Sequence, residues 1–524
     1  MSYDYIVVGA GSAGSAVAGR LSENSDLKVL LLEAGGPDEN QNIHVPAAFP
    51  LLFNTPNDWA YQIEPQKNCN NKPDYMPRGK MLGGSSSMNA MVYMRGNPAN
   101  YDGWEKLGNE GWGWEDVKPY FLKAENNERG ESEHHGVGGP INVADLRDPN
   151  PITKAFVQAC DETGLPLNTD FNGDEQEGFG MYQVTQKNGM RHSAAVGYLY
   201  PALKRENFTA ITNALVQRLT FDGTRCTGVV YRKDGQEHTA EASREVILCG
   251  GAINSPQVLM LSGIGDKEKL EALGISVVTN LPGVGQNYQD HIMVPLAVHS
   301  TQPVTLGGAG SEEAGKQFVE ERKGLLTSNI GEAGGLVKLK ADSPAPELQY
   351  HFAPGWFVFH GAGNPKEPHG YTLLPGLVGT KSIGSLELRS ADPTMPPKID
   401  PNYLGDERDL EVLVAGVKQG REIMAAPAFD AYRGEEFLPG KDVQSDAEII
   451  EFIRNNIQNI YHPVGTCKMG NDAMAVVNDR LQVHGIQGLR VADASIMPVI
   501  VNANTNNPCI MIGEKCADMI LKGM

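Results

Sequence analysis

Apolar residues open the chain in a short unbroken run, Tyr5-Ile6-Val7-Val8, rich in β-branched side chains. Such a run predicts a buried strand. From Ala13 to Leu21 the residues Ala16, Val17, Ala18 and Leu21 offer a packing face and predict a helix. A second apolar run, Lys28-Val29-Leu30-Leu31-Leu32, ends at Glu33. Strand, helix and strand in that order predict a βαβ unit starting almost at residue 1.

Regularity is lost from about 36 to 80, where Pro46, Pro50, Pro56 and Pro65 fall. A long irregular segment is expected there, of the kind that serves as a lid or cofactor cover. Residues 127–140 are polar and glycine-rich, with His134 beside His135, and predict a solvated loop. Apolar and polar positions alternate over 209–250, as in Gln217-Arg218-Leu219-Thr220-Phe221, with hairpin turns predicted at Asp222-Gly223 and Asp234-Gly235. Glu245-Val246-Ile247-Leu248-Cys249 predicts another buried strand. Farther on, a strand is expected over 346–352 and a helix from Asp409 to Ala425.

Composition narrows the class. In 524 residues, 40% are hydrophobic and 21% charged, enough for a core that encloses a cofactor. A formal charge of −20 would repel phosphate backbones and excludes general nucleic-acid binding. The seven cysteines are scattered, with no CxxC pair, which excludes a zinc ribbon and fits a reducing compartment. No metal site is expected. The start of the chain lacks the basic and long apolar regions of a signal peptide, and no run of about 18 apolar residues predicts a membrane span. A cytoplasmic protein is expected, and the test leaves open contact with the periphery of the inner membrane.

Gly9, Gly11 and Gly14 lie between the first strand and its helix, and Glu33 closes the second strand 19 residues past Gly14. In a dinucleotide site Gly9 permits the tight turn, Gly11 lets the backbone approach a pyrophosphate, and Gly14 lets helix and strand pack closely. The helix N-terminus, with Ser12 in its first turn, offers free N–H groups to phosphate. Glu33 can accept from ribose hydroxyls and repels a 2′-phosphate. The fingerprint alone does not separate FAD from NAD.

Three further segments resemble the glucose–methanol–choline (GMC) oxidoreductase family. They are Gly79-Lys80-Met81-Leu82-Gly83-Gly84-Ser85-Ser86-Ser87-Met88-Asn89 running on to Gly96, Gly251-Ala252-Ile253-Asn254-Ser255-Pro256 running on to Gly265, and the pair Tyr461-His462-Pro463-Val464-Gly465 and Asn504-Thr505-Asn506-Asn507-Pro508. They span nearly the whole chain and look most like bacterial choline-dehydrogenase-like and aliphatic alcohol dehydrogenases. The resemblance implies an FAD-dependent oxidoreductase of CH–OH donors. Its fold would be α/β: a Rossmann-like FAD-binding domain (1–155, 195–290 and 460–524) and a second, discontinuous α+β substrate domain on an antiparallel sheet (156–194 and 291–459).

Residue by residue, the resemblance places Gly83, Ser86 and Asn89 along the flavin, Val216 at the adenine, and Asp493 near the phosphate and ribityl region. Asn506 and Pro508 open a C-terminal helix whose positive end would face the flavin pyrimidine ring, a stabilisation on the order of 1 kcal/mol. Asn507 reads as its N-cap, with Pro508 at the first helical position and the helix running to Gly523. His462 would be the base that takes the alcohol proton, Asn504 the group that holds the oxygen, and flavin N5 the hydride acceptor.

Two departures refine this. Met88 stands where some members carry the histidine that attaches FAD covalently, so FAD is expected to be noncovalent. Met293 stands where choline-specific members carry a glutamate for the quaternary ammonium, so an uncharged primary alcohol is expected over choline. The electron acceptor, quinone or O2, is left open. A non-enzymatic flavoprotein and a redox-neutral lyase or decarboxylase remain as alternatives.

Overall fold

The computed structural model describes residues 2–524. The βαβ unit forms as strand Ser2–Val8, helix Ser12–Leu21 and strand Val29–Leu32. Phe208–Ile211, Val29–Leu32, Ser2–Val8 and Gln236–Leu248 lie side by side in parallel, and Leu489–Val491 pairs parallel with the last of these. Two hairpin turns join the antiparallel strands Leu215–Asp222, Arg225–Lys233 and Gln236–Leu248: the second is Asp234-Gly235 as expected, and the first is Gly223-Thr224, one residue later than expected, because Asp222 pairs with Arg225. Asp234 and Gly235 have φ of 51° and 80°, the left-handed pair that a tight two-residue hairpin requires.

The buried strand expected at Glu245–Cys249 is not separate. It is the second half of the 13-residue strand Gln236–Leu248. The first half pairs antiparallel with its hairpin neighbour, and the second half runs beside Ser2–Val8. The change from alternating polar residues to the apolar run Val246-Ile247-Leu248 marks where the strand passes from the surface to the interior.

A second sheet of eight strands is antiparallel throughout. Its main path is Arg433–Leu438, Leu296–Ser300, Gly370–Leu377, Leu348–Ala353, Ala333–Val337 and Gly178–Met181. The strand expected at 346–352 is Leu348–Ala353, buried along its length, and the expected helix is Glu407–Met424, N-capped by Asp406. The architecture is thus the expected one, a Rossmann-like α/β half joined to an antiparallel α+β half.

Two expectations about loops are corrected. Residues 36–80 contain the helical turns Gln41–His44 and Pro46–Leu52 and a hairpin of Tyr61–Gln66 with Lys72–Met76. Pro65 and Pro73 fall within that two-stranded ribbon, where an outward-facing edge needs no N–H. Residues 127–140 are not a freely solvated loop, because His135 is buried. Its Nδ1 lies 3.0 Å from Glu125 Oε1 and its Nε2 2.8 Å from Asp170 Oδ2. Arg95 completes the cluster with Nη2 at 2.5 Å from Glu125 Oε2.

The C-terminal helix is Asn506–Leu521, with Thr505 rather than Asn507 at the N-cap position and no side-chain cap. The Asn507 amide points elsewhere, donating to the Met94 carbonyl at 3.1 Å. Pro508 still falls in the first turn, where a missing N–H costs nothing.

Burial disfavours the charge on His135, but its bonds to Asp170 and Glu125 outweigh this and raise its pKa to about 9. The stabilisation from its charge is therefore complete below the ordinary histidine pKa and is lost as pH rises through about 9. Replacing His135 by Gln is expected to cost about 2–3 kcal/mol near neutral pH, since Glu125 loses a charged partner. The difference in melting temperature between variant and wild type should shrink between pH 7 and pH 10, measured by thermal unfolding with FAD bound.

Candidate active site

Two adjoining cavities have volumes of about 1120 Å³ and about 1030 Å³ including space open to solvent. Ser12, Arg78, Ser85 and Cys509 line both. The first is a cleft along the fingerprint, bounded by Gly9, Gly11, Glu33, Val216, Gly251 and Asp493 among others. The second contains His462, Asn504, Asn89 and Asn506.

The cleft fits a dinucleotide. A Cβ built on Gly11 would meet nothing within 4 Å, so the missing side chain leaves open space at the helix start. Gly14 is different: its Cβ would stand 1.9 Å from the Gly9 carbonyl, so close packing requires glycine there. The helix at Ser12 has no side-chain cap and its N-terminal N–H groups remain available to phosphate. Glu33 accepts from Ala10 N and Gly35 N, each at 2.8 Å, which orients its carboxyl at the end of the second strand. Burial raises its pKa, and those backbone donors oppose the shift.

The hydroxyl-rich turn is a short helical turn, Gly84–Ser87, entered through Gly83 at φ 87°. Gly83 and Ser86 face inward. Ser86 Oγ donates to the Gly83 carbonyl at 2.6 Å and accepts from Ala194 N at 3.0 Å. Gly84 and Ser85, the middle residues of the same turn, are the ones that line the cleft. Asn89 Oδ1 accepts from Met91 N at 3.0 Å and from Arg191 Nη1 at 2.8 Å while the residue lines the second cavity. Asp493 lines the cleft, but its oxygens accept from Gly251 N (2.8 Å), Ser255 Oγ (2.6 Å) and Ser495 N (2.8 Å). It fixes the start of helix Gly251–Leu261 beside the cleft.

The C-terminal helix also lacks a side-chain cap, and its N-terminus borders the second cavity at Thr505 and Asn506. Ser12 Oγ donates to Asn506 Oδ1 at 2.7 Å, tying the two helix starts together. Pro508 is buried inside that helix and does not line either cavity.

His462 Nε2 lies 3.4 Å from Asn504 Nδ2. The segment presenting His462 bends at Tyr461, whose φ of 70° is unfavourable for a bulky residue. Arg78 Nη1 donates to the Tyr461 carbonyl at 2.7 Å, and buried Asp290 accepts the His462 N–H at 2.8 Å. These two bonds grip the bend from either side. Behind His462, its Nδ1 stands 3.0 Å from His291 Nδ1. Burial first, then the nearby His291, His351 and Arg78, lower the His462 pKa well below the usual value, so the ring rests neutral.

Sequence reading missed Arg78, His351 and the pairing of His291 with His462. The strand Leu348–Ala353 puts Gln349 and His351 on one face, two residues apart, but nothing local links that face to residue 504. Both ring nitrogens of His351 lack a hydrogen-bond partner in the protein, and the residue lines the second cavity. Burial pushes its pKa down to about 4.

The rest of the second cavity is apolar, walled by Phe49, Met293, Phe357, Leu374 and Ile460. Met88 also lines it. Among the lining residues none carries a carboxylate, and the one fixed cation is Arg78.

Two family profiles described as GMC oxidoreductase match residues 3–293 and 380–513. An alcohol dehydrogenase [acceptor] from Pseudomonas putida is 45% identical, over 99% of this chain and 96% of its own length. The mitochondrial choline dehydrogenase of Homo sapiens is also 45% identical, over 99% of this chain and 89% of its own. Among solved structures, pyridoxine 4-oxidase from Mesorbium loti superimposes with a TM-score of 0.91 at 31% identity, covering 99% of both chains. Fingerprint cleft, paired helix starts and full-length similarity agree: the chain belongs to the GMC oxidoreductase family and is an FAD-dependent oxidoreductase of CH–OH donors.

Proposed function

We propose that the enzyme oxidises an uncharged primary alcohol to its aldehyde, with His462 Nε2 taking the hydroxyl proton and Asn504 Nδ2 holding the alcohol oxygen. The observation that carries this reading is the meeting of those two atoms in an apolar cavity that adjoins the dinucleotide cleft and shares Ser12, Arg78, Ser85 and Cys509 with it. Bound across the cleft, FAD supplies the acceptor for the carbinol hydrogen and its electron pair. His462 is buried and neutral, so no competing proton must leave it before it acts. Asn504 Oδ1 accepts from Gln349 at 2.9 Å, which leaves the Asn504 amide hydrogens to donate. The apolar walls exclude water and keep those hydrogen bonds strong.

In this reading residues 1–155, 195–290 and 460–524 hold the cofactor, and residues 156–194 and 291–459 shape the substrate side. Met88 offers a thioether where a nucleophilic attachment would be needed, so FAD is held noncovalently. The electron acceptor is a quinone-type molecule or O2, and the cavity walls favour neither.

Choline is the competing substrate, because relatives named as choline dehydrogenases share the full length. The cavity argues against it. Met293 sits among apolar side chains, no lining carboxylate could pair with a desolvated ammonium, and the Arg78 cation would repel one.

Anaerobic mixing with a panel of alcohols is expected to bleach the flavin with neutral primary alcohols and not with choline. Faster bleaching by choline would overturn the substrate assignment. Admitting air afterwards distinguishes an oxidase, which recovers its colour at once, from a dehydrogenase, which waits for a quinone. His462→Ala should retain FAD but lose about 10²–10⁴-fold in the anaerobic reduction rate. Reduction near the wild-type rate would remove His462 from the chemistry. Acid precipitation should release all yellow colour into the supernatant, and a coloured washed pellet would disprove noncovalent attachment.

A further inference from the structure

The amide of Gln349 lies behind Asn504, on the far side from His462. Gln349 is fully buried in strand Leu348–Ala353, and its Nε2 donates to Asn504 Oδ1 at 2.9 Å. The other neighbour of that nitrogen is Met94 Sδ at 3.2 Å, which can only accept. Gln349 Oε1 has no hydrogen-bond partner in the protein. An amide buried with one unsatisfied oxygen is costly, and its orientation is therefore a feature to explain.

The polar groups form one chain from Gln349 through Asn504 and His462 to His291. Its links are Gln349 Nε2 to Asn504 Oδ1, Asn504 Nδ2 to His462 Nε2 at 3.4 Å, and His462 Nδ1 to His291 Nδ1 at 3.0 Å. Each neutral imidazole has one donor and one acceptor nitrogen, so fixing either end fixes the direction of the whole chain. At the His291 end the other ring nitrogen, Nε2, is buried with no hydrogen-bond partner in the protein, so that end does not set the direction. Burial keeps that ring neutral, with its pKa pushed down to about 3. The direction is set at the Gln349 end, where Nε2 donates to Asn504 Oδ1 and leaves the Asn504 NH2 facing His462 Nε2. His462 then carries its proton on Nδ1, and Nε2 holds the free lone pair. His291 Nδ1 then accepts from His462 Nδ1 at 3.0 Å.

We propose that Gln349 is a positioning residue: by donating to Asn504 Oδ1 it locks the Asn504 amide with its hydrogens toward the substrate oxygen and so keeps His462 Nε2 unprotonated. This rests on the assignment of His462 and Asn504 given above. Gln349 touches no reacting atom and acts only through Asn504.

Gln349→Met preserves length and volume and removes the donor. In FAD-loaded enzyme it is expected to slow anaerobic flavin reduction about 10–100-fold, with FAD content unchanged. The decisive comparison is the double-variant cycle with Asn504→Ala. A residue that works through Asn504 adds nothing once Asn504 is gone, so the double variant should reduce at the rate of Asn504→Ala alone. Multiplying effects, or a wild-type rate in Gln349→Met, would overturn the proposal. A second measurement needs no variant at this strand. In oxidised holoenzyme with ¹⁵N-labelled histidine, the His462 signals, identified by their loss in His462→Gln, should report a proton on Nδ1. A proton on Nε2 would overturn the inferred direction. If His462→Ala and Asn504→Ala reduce normally, the base assignment fails. If those are slow and only the Gln349 tests fail, the base assignment stands alone.

Discussion

Ser12 and Asn506 are 494 positions apart, yet their side chains share a hydrogen bond of 2.7 Å. That contact sets two uncapped helix N-termini beside each other, one at the cleft and one at the substrate cavity. Each presents free N–H groups and the positive end of a helix dipole. The two helices also pack closely: a Cβ on Gly513 would stand 2.5 Å from the Ala13 carbonyl. At this junction the fingerprint cleft and the cavity of His462 adjoin, sharing Ser12, Arg78, Ser85 and Cys509 in their linings.

Electrostatics in the cavity follow from its dryness. Three histidines, His291, His351 and His462, are held near one another and all are driven toward neutrality by burial. Two of them face each other at 3.0 Å, which two imidazolium ions could not do. Asp290 supports the arrangement from outside the cavity. Its Oδ1 accepts the N–H groups of His291 and His462, at 2.9 Å and 2.8 Å, and burial raises its carboxyl to about 7. The thiol of Cys509, at the junction of the two cavities, is pushed up to about 12 by burial and stays protonated. Arg78 holds the bend at Tyr461 from the cavity side.

The substrate half contributes shape more than charge. Its antiparallel sheet supplies Met293, Ala353 and Leu374 to an apolar wall, closed by Phe49 and Phe357 from loops and turns. His351 stands on the same strand face as Ala353 in this wall.

The sequence by itself determined the βαβ start, the glycine fingerprint with Glu33, the hairpins after Leu215, and the candidates His462 and Asn504. These are encoded in short-range pattern: apolar runs, turn dipeptides and contiguous motifs. Local pattern fails where one residue's environment depends on another far along the chain. His135 looked like part of a polar loop because its partners, Glu125, Asp170 and Arg95, come from separate segments. Ser85 and Ser86 are chemically identical neighbours, and only the path of the backbone turns one to the cleft and the other to Ala194. Gln349 carries no motif, and its meaning arises from standing 2.9 Å from Asn504. Tertiary structure alone decided these cases, because hydrogen bonding and desolvation act over a few ångströms of space and take no account of separation along the chain.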